Sequence, residues 1–393
     1  MQFLTDGKRF VWETERNGFK HFELRDLDGK LLNPLSKADN YPCEEIVLID
    51  EKAGYFYYTA FSSDIPLNQQ LHRVKLDGSD HRELTKKPFN HTGFHISPKH
   101  EFFVAEYEAI DSPPAFALYN AEGKELKVLA EGDWKEALDA GFSKPELFNF
   151  KADDGVTDIY GVLYKPSNFD ETKKYPLLID VYGGPQSRDV TNRFRPANPQ
   201  CELGFLIASI GNRGTIGRGK AFEAATYKKL GGPDIQDQAD GVKFLAKRTY
   251  VDGSRVGIYG HSYGGYMSAL AVLKFPEIFH VAVAGAPVTD WRNYDTIYTE
   301  RYMQTPQENS EGYQNGSCAT YAGNLKGKLL LVHGLIDDNV HPSNTWQLSE
   351  KLQSGDKRFD MMIYPNFQHG IGATYGALRW EYFIEHLKPE AGE

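Results

Sequence analysis

The most constraining feature of the sequence is the heptapeptide GHSYGGY at residues 260–266, in which glycines flank Ser262. The apolar run at residues 255–259 predicts a β-strand before it, and residues 267–274 predict a helix after it. A strand, a tight turn and a helix form a nucleophile elbow, which presents a serine hydroxyl at the top of a sheet. Glycines are needed because the turn is strained and the backbones approach closely. We therefore predict that Ser262 is a nucleophile.

From residue 146 onward, single apolar runs alternate with stretches of helical periodicity. This alternation is typical of a parallel sheet covered by helices. Two early runs, at residues 146–150 and 157–165, are expected to form antiparallel edge strands. Together with the elbow, the pattern predicts an α/β-hydrolase catalytic domain over residues 146–393. Its central strands are predicted at residues 176–182, 205–210, 255–259, 281–285, 328–332 and 361–364.

Two helices of this region have recognisable ends in the sequence. Asp234 is expected to cap a helix whose apolar residues, from Ile235 to Ala246, share one face. A second helix is predicted at residues 221–229, because the Gly-Gly-Pro sequence at residues 231–233 would end it.

Residues 1–132 contain short β runs that are rich in aromatic and branched side chains and separated by turn sequences. A strand that leads into an Asp-Gly or Glu-Gly turn recurs at Gly29, Gly78 and Gly123. Repeats of about 40–50 residues are typical of propeller blades, of which a closed propeller has about 4–8. We predict a partial β-propeller of about three blades. A linker helix is predicted at residues 133–145, between the two domains.

The net charge of −10 makes nucleic acid and anionic membranes poor partners, because both carry negative charge. No apolar run approaches the ~18 residues of a membrane span. Residues 1–16 contain no apolar signal segment, so no signal peptide is expected in the chain as given. The sequence does not determine the cellular compartment of the protein. The periplasm or secretion is expected if a leader was removed, and the cytoplasm otherwise.

The cysteines Cys43, Cys201 and Cys318 are odd in number and far apart in the sequence. This spacing indicates neither a disulfide framework nor a metal site. We expect them to be small buried residues, and we predict no metal and no cofactor.

A serine nucleophile needs a base for its proton, and the base needs an acid that fixes its tautomer. In this fold the acid and then the base follow the serine, each on a loop after a later strand. The strand at residues 328–332 leads to Asp337 and Asp338, of which only one can hold the imidazole, because adjacent side chains diverge. The last strand leads to His369, the predicted base. Three other histidines are expected to be structural: His261, which should point away from the serine, His341 and His386.

The tetrahedral intermediate needs hydrogen-bond donors aimed at its oxyanion. One is expected to be the backbone N–H of Tyr263, the residue after the nucleophile. The second should come from the loop after an earlier strand, at residues 180–185. In that loop either the phenol of Tyr182 or a glycine N–H could serve.

Several motifs resemble the prolyl oligopeptidase family, and more narrowly its dipeptidyl peptidase IV subfamily. The likeness covers residues 146–393 and, more weakly, the β-rich segment before them. The motifs are YGGP at residues 182–185, NRGT at 212–215, the elbow at 260–266, APVTDW at 286–291, HGLIDDNVH at 333–341 and HGI at 369–371.

The resemblance implies that Ser262 is the nucleophile, Asp337, rather than its neighbour, the acid, and His369 the base. Tyr182 would donate its hydroxyl to the oxyanion, and Asn339 would hold the carbonyl of the P2 residue. An S1 pocket for proline or alanine is also implied, and aromatic walls suit the flat apolar proline ring. The residues that would line this pocket are Val288, Trp291, Tyr294, Tyr298 and Val340.

The N-terminal region leaves the substrate open. The family carries a full propeller, whose early blades hold the substrate's amino group with a glutamate pair and an arginine. This chain, whether a natural short form or part of a longer one, has about three blades, and Glu44-Glu45 is expected to be an ordinary strand edge. Preference for a free amino terminus should then weaken.

Three functions remain: a dipeptidyl peptidase-like serine peptidase, an esterase for aryl or feruloyl esters on the same triad, and an inactive binding module. Unpaired sheet edges also predict a homo-oligomer.

Overall fold

The computed structural model describes residues 1–36, 40–62, 64–86 and 88–389. The chain divides into two compact units. Unit 1 is Met1–Ala137 together with Thr191–Arg195 and Ile216–Glu223, and unit 2 is Leu138–Val190, Pro196–Thr215 and Ala224–Glu393. Two short segments from the C-terminal part of the chain thus belong to unit 1, which the sequence did not indicate. The domain boundaries placed at residues 132 and 146 stay predictions.

In the described residues, unit 1 contains three antiparallel sheets of four strands each, which confirms the partial propeller of three blades. Each blade is an up-and-down meander in which neighbours in sequence pair. Blade 1 is β1 (Gln2–Phe3), β2 (Arg9–Thr14), β3 (His21–Asp26) and β4 (Leu31–Pro34); blade 2 is β5 (Cys43–Asp50), β6 (Tyr55–Ala60), β7 (Gln70–Lys75) and β8 (Arg82–Glu83); blade 3 is β9 (Asn90–Ile96), β10 (Phe102–Ala109), β11 (Ser112–Asn120) and β12 (Glu125–Glu131).

Consecutive blades share an aromatic core. Phe22 of β3 meets Phe56 of β6 edge to face, with ring centroids 5.4 Å apart. Blade 3 contributes the stacked rings of Phe103 and Tyr119 to the core it forms with blade 2. The repeated turn glycines allow the blades to approach: a Cβ on Gly123, which has φ +81°, would lie 2.1 Å from the carbonyl oxygen of Leu84 in blade 2.

Unit 2 is built on one eight-stranded sheet with strand order β13-β14-β16-β15-β17-β18-β19-β20. The first two strands run antiparallel and the rest pair in parallel, which confirms the α/β-hydrolase fold with its two antiparallel edge strands. The strands are β13 (Glu146–Lys151), β14 (Asp158–Tyr164), β15 (Tyr175–Asp180), β16 (Leu206–Gly211), β17 (Val251–His261), β18 (Val281–Gly285), β19 (Lys328–Gly334) and β20 (Asp360–Tyr364).

The described residues also contain 3-10 turns and α-helices. Single 3-10 turns lie at Pro199–Leu203, Ala224–Thr226, Trp291–Asn293 and Ala322–Asn324. The α-helices are α1 (Lys135–Asp139), α2 (Lys220–Glu223), α3 (Pro233–Leu245), α4 (Tyr263–Lys274), α5 (Thr296–Met303), α6 (Ser310–Asn315), α7 (Cys318–Tyr321), α8 (Ser343–Ser354) and α9 (Gly372–Leu387).

Two helix predictions were wrong in detail. The N-cap of α3 is Gly232, because Pro233 already starts the helix, and Asp234 lies in its first turn. The helix predicted at residues 221–229 ends at Glu223 and continues as one 3-10 turn.

Two broad properties of the described residues bear on the sequence expectations. All three cysteines are buried and unbonded. No helix in the described part of the chain is long and apolar enough to cross a membrane.

Candidate active site

Ser262 lies between the end of β17 and the start of α4, in a strained turn. Its φ of +61° and ψ of −117° are rare for a residue with a side chain. The N–H of Ser262 donates to the carbonyl of Gly285 over 2.8 Å. A Cβ on Gly264 would lie 2.2 Å from the carbonyl oxygen of Val181, and one on Gly265 equally close to that of Gly285. Only glycine fits at these two positions, so the structure contains the nucleophile elbow that the sequence indicates.

The predicted acid and the predicted base meet on the loops after β19 and β20. The Nδ1 atom of His369 lies 2.8 Å from Oδ2 of Asp337, a carboxylate that is fully buried. The other oxygen of Asp337 accepts the backbone N–H groups of Asn339 and Val340, each over 3.0 Å. A proton held on Nδ1 leaves Nε2 of His369 free to accept one. Asp338 is exposed, so the structure pairs His369 with Asp337, as the resemblance implies.

A buried histidine that sequence reasoning missed supports this acid. Nε2 of His333 lies 3.3 Å from Oδ2 of Asp337 and 2.8 Å from the carbonyl oxygen of Val340, and its Nδ1 lies 2.7 Å from the hydroxyl of Thr345. Burial lowers the pKa of His333, so it is neutral at pH 7 and adds no positive charge beside Asp337. Its position at the end of β19, four residues before the acid, was the available signal.

His261 was expected to be structural and to point away from Ser262, and the structure shows that its ring lies beside that of His369. Its ring centroid lies 4.8 Å from that of His369, with the two ring planes inclined at 56°. Burial, together with the neighbouring His369, lowers the pKa of His261 to about 4. A neutral imidazole therefore packs against His369, the predicted base. The other two candidates lie elsewhere: His341 is exposed and pairs with Ser343, and His386 packs on Tyr382.

Tyr182 and Tyr263 supply the candidate donors for an oxyanion. Burial, followed by the nearby Asp189, raises the pKa of the Tyr182 phenol, which lies close enough to Ser262 for that side chain to influence its pKa. The phenol is therefore protonated and able to donate at neutral pH. Tyr263 is the first residue of α4, where backbone N–H groups have no partner within the helix. In the Tyr182 loop, the N–H of Gly183 already donates to Asp189 over 2.6 Å, which favours the phenol over that glycine N–H.

An aromatic cluster lies beside the elbow. Tyr294 and Tyr298 are half-buried, with ring centroids 5.4 Å apart, and Trp291 stacks on Tyr298 at 5.9 Å. Asp295 holds Tyr298 in place by capping α5, where it accepts the N–H of Tyr298 over 2.8 Å. The other two residues expected to line S1, Val288 and Val340, are fully buried, as is Trp291.

Asn339 links this cluster to the loop of the acid. Its Oδ1 accepts the hydroxyl of Tyr294 over 2.8 Å, which leaves its NH₂ group as a donor. Tyr263 is anchored as well, because its hydroxyl donates over 2.7 Å to Asp234, a fully buried carboxylate. Sequence reasoning treated Asp234 only as a helix cap and missed this role.

A serine in a strained elbow, a histidine paired with a buried aspartate and an eight-stranded, largely parallel sheet define the class of α/β-hydrolases. The sequence model described as the prolyl oligopeptidase family matches residues 192–389. The model described as the dipeptidyl peptidase IV (DPP IV) N-terminal region matches residues 1–114. The chain belongs to the prolyl oligopeptidase family.

Similar proteins include several that are named as dipeptidyl peptidases. Dipeptidyl peptidase 8 of Homo sapiens is 37% identical over 361 residues, which are 88% of this chain and 40% of that protein. Its counterpart from Mus musculus is 36% identical, with the same coverage. The crystal structure of Porphyromonas gingivalis dipeptidyl peptidase 4 matches with a TM-score of 0.84 at 29% identity, covering 98% of this chain and 55% of that one. The chain thus spans about two-fifths of the length of these curated relatives.

Proposed function

We propose that this protein is a serine peptidase of the dipeptidyl peptidase IV type, which cleaves peptides after proline or alanine. The observation that carries the proposal is the pairing of His369 with the buried Asp337, next to a serine in a strained elbow. The similar proteins named as dipeptidyl peptidases support a peptide substrate over the ester alternative.

In the proposed reaction, the Ser262 hydroxyl attacks the scissile carbonyl carbon while Nε2 of His369 takes its proton. The carbonyl oxygen becomes an oxyanion, to which the Tyr182 phenol and the Tyr263 N–H donate hydrogen bonds. Collapse of this intermediate breaks the C–N bond, and His369 returns the proton to the leaving amine. Water, deprotonated by the same histidine, then hydrolyses the acyl-enzyme and restores Ser262.

The aromatic cluster would act as the S1 pocket, with the rings of Tyr294 and Tyr298 facing the P1 side chain. A proline ring is flat and apolar, so it gains contact with such rings without needing a charged partner. Asn339 would donate its NH₂ group to the P2 carbonyl, because its oxygen is already occupied by Tyr294. Val288, Trp291 and Val340, which are buried, would support these contacts.

The test is a panel of chromogenic substrates: Gly-Pro-p-nitroanilide, its N-blocked form, and p-nitrophenyl and feruloyl esters. We expect cleavage of the anilide, with Ser262→Ala as the inactive control. Cleavage of esters without any cleavage of the anilide would overturn the peptidase proposal. Activity that persists in Ser262→Ala would overturn the assignment of the nucleophile.

The N-blocked anilide measures what a free amino group contributes. The residues assigned to the site here include no carboxylate for an ammonium ion, and a charge-assisted hydrogen bond contributes roughly 1.5–3 kcal/mol. We therefore expect blocking to lower kcat/KM by less than about tenfold. A loss of about a thousandfold or more would show that an amine anchor exists in this protein.

We also propose that the chain self-associates. Strand β12 (Glu125–Glu131) is an edge strand of blade 3 in the described residues, and exposed strand edges pair readily with another chain. Two of its apolar side chains, Leu126 and Leu129, are about half exposed. Light scattering should give a mass of at least twice that of one chain, and a monomer at all concentrations tested would contradict this.

A further inference from the structure

We infer that Asp189 and Asn212 are positioning residues that hold the backbone around Gly183 and thereby aim the Tyr182 phenol at the oxyanion. The inference rests on the proposed role of Tyr182 as an oxyanion donor, and it assigns a role to the NRGT motif, of which Asn212 is the first residue. The evidence for the inference is a set of hydrogen bonds to the turn at Tyr182 and Gly183.

Asp189 holds the two peptide planes on either side of the Tyr182 Cα atom. Its Oδ2 accepts the N–H of Gly183 over 2.6 Å and the N–H of Tyr182 over 3.3 Å. The direction of the Cα–Cβ bond follows from these two planes, so one carboxylate determines where the Tyr182 side chain starts. The hydroxyl of Ser187 donates to the carbonyl of Gly184 over 2.8 Å, within the same turn.

Asn212 holds the next peptide group. It is fully buried, and its Nδ2 donates to the carbonyl of Gly183 over 3.0 Å and to that of Arg213 over 2.8 Å. Its Oδ1 accepts from Nε2 of Gln238 over 2.8 Å. With donors and acceptor all engaged, the amide has one orientation, and it can serve as a fixed support for the turn.

The loop that carries Asn212 is itself tied to α3. The guanidinium and the N–H of Arg213 bind the buried carboxylate of Asp237 at distances of 2.7 to 3.1 Å. Bidentate pairs of this kind restrict both position and orientation. The NRGT motif thus connects α3 to the turn after β15.

Gly183 shows how closely this support fits. Its φ of +73° is in the region that favours glycine, and a Cβ would lie 2.8 Å from Oδ1 of Asn212 and 3.1 Å from Cε of Met267. A side chain at position 183 would displace the amide that holds the carbonyl. The glycine is therefore needed for the contact with Asn212 and not only for the bend of the chain.

Backbone control matters here because Tyr182 is poorly held by its own ring. The side chain is 44% exposed, and its nearest aromatic neighbour in the site, Tyr263, has a ring centroid 6.0 Å away. A catalytic group must be held within about 0.5 Å of its working position. Since ring packing is incomplete, much of that precision must come from the backbone that Asp189 and Asn212 fix.

The test is a double-mutant cycle on kcat with Gly-Pro-p-nitroanilide. Asp189→Ala should lower kcat by about 10- to 100-fold, below the roughly 10²–10³ of a lost oxyanion donor, with KM within threefold. Asp189→Asn keeps an acceptor oxygen for the Gly183 N–H and should recover most of the loss. When Tyr182→Phe has already removed the phenol, Asp189→Ala should change kcat by less than threefold. Equal effects of Asp189→Ala in both backgrounds would overturn the inference.

If Asp189→Ala does not fold, Asn212→Ala provides the same test, measured in the wild-type and the Tyr182→Phe backgrounds. A smaller effect of Asn212→Ala in the Tyr182→Phe background supports the inference, and equal effects oppose it. The matched control is Asp170→Ala, which removes another turn carboxylate, one that accepts the N–H of Thr172. It should leave kcat unchanged. Loss of the proposed function would appear separately, as an inactive wild-type protein.

Discussion

The two units of the molecule distribute their polar residues in opposite ways. In unit 2 the strand β18 and most of β19 are apolar and buried. In unit 1 the blades bury polar side chains within their strands, including Gln70, His72 and Asn90. The parallel sheet therefore concentrates its chemistry where the strands end, whereas the blades use polar groups as part of their structure.

The reason lies in strand direction. Parallel strands share one carboxyl edge, so residues far apart in sequence meet there: Tyr182 after β15, Ser262 after β17, Asp337 after β19 and His369 after β20. Antiparallel blades have no such common edge, because neighbouring strands end on opposite sides. The difference predicts that substitutions at the edge of unit 2 cost activity, and that substitutions inside unit 1 cost stability.

The largest effect is expected for Ser262→Ala, which tests the prediction that substitutions at the edge of unit 2 cost activity. Ser262→Ala should lower kcat by about 10⁴- to 10⁶-fold, because no other group can form the acyl-enzyme. The melting temperature should change by only a few degrees, since the hydroxyl is not part of the core. Steady-state kinetics and thermal unfolding, measured on the same sample, decide this. A large loss of stability would contradict the prediction that substitutions at the edge of unit 2 cost activity and not stability.

Phe22→Ala in blade 1 tests the prediction that substitutions inside unit 1 cost stability. Phe22 is fully buried against Phe56 and Tyr58, so the cavity should lower the free energy of unfolding of unit 1 by about 3–5 kcal/mol. Below the unfolding transition, kcat on Gly-Pro-p-nitroanilide should stay within threefold of wild type. Chemical denaturation monitored by circular dichroism measures the change. A variant of full stability would show that the aromatic core contributes little.

Removing one donor from the edge of unit 2 should have an intermediate effect. Tyr182→Phe retains the ring and loses the hydroxyl, so kcat should fall by about 10²- to 10³-fold while KM stays within threefold. The expected free energy of unfolding is unchanged, because the side chain is substantially exposed. An increase in KM with unchanged kcat would instead indicate that the phenol binds the substrate in its ground state.

The smallest effect concerns how stability depends on pH through one residue at the edge of unit 2. His261 has a pKa lowered to about 4 by burial, against an ordinary value of 6.5 in the unfolded chain. Between these values the unfolded chain binds the proton more readily, so stability falls as the pH is lowered from 6.5 towards 4. The loss attributable to this one group is at most about 3 kcal/mol. Above pH 6.5 this loss is absent, because His261 is neutral in both the folded and the unfolded chain.

His261→Gln removes this titration and provides the control. The free energy of unfolding of the variant should depend less on pH between 4 and 6.5 than that of the wild type. Identical slopes for the two proteins over this range would show that His261 is not protonated on unfolding.

Much of the site was predictable from local sequence. The elbow at Ser262 depends on glycines and on the flanking strand and helix, all of which are contiguous. His369 follows the last strand, where chain order in this fold places the base. The choice between Asp337 and Asp338 was not available from the residues alone, because adjacent residues on a loop differ only in direction.

The missed residues share a different property. His333, His261, Asp189 and Asp234 act through contacts with residues that are distant in sequence or that depend on the orientation of a side chain. His261 was expected to point away from the serine, and only its packing on His369 shows what it contacts. Asp234 was interpreted as a helix cap, since a local pattern cannot reveal that it binds the hydroxyl of Tyr263.

The sequence by itself determined the fold of each unit and the repeating blades, and it predicted Ser262 as the nucleophile and the chain order of the site residues. Each of these depends on local periodicity and on glycines at strained turns. The structure pairs His369 with Asp337, as the family resemblance implied. The tertiary structure alone decided that His261 packs on His369, that Tyr263 binds Asp234, and that Asp189 and Asn212 hold the turn between them. Hydrogen-bond partners are selected by position and direction in space, and these are set only when distant strands come together in one sheet.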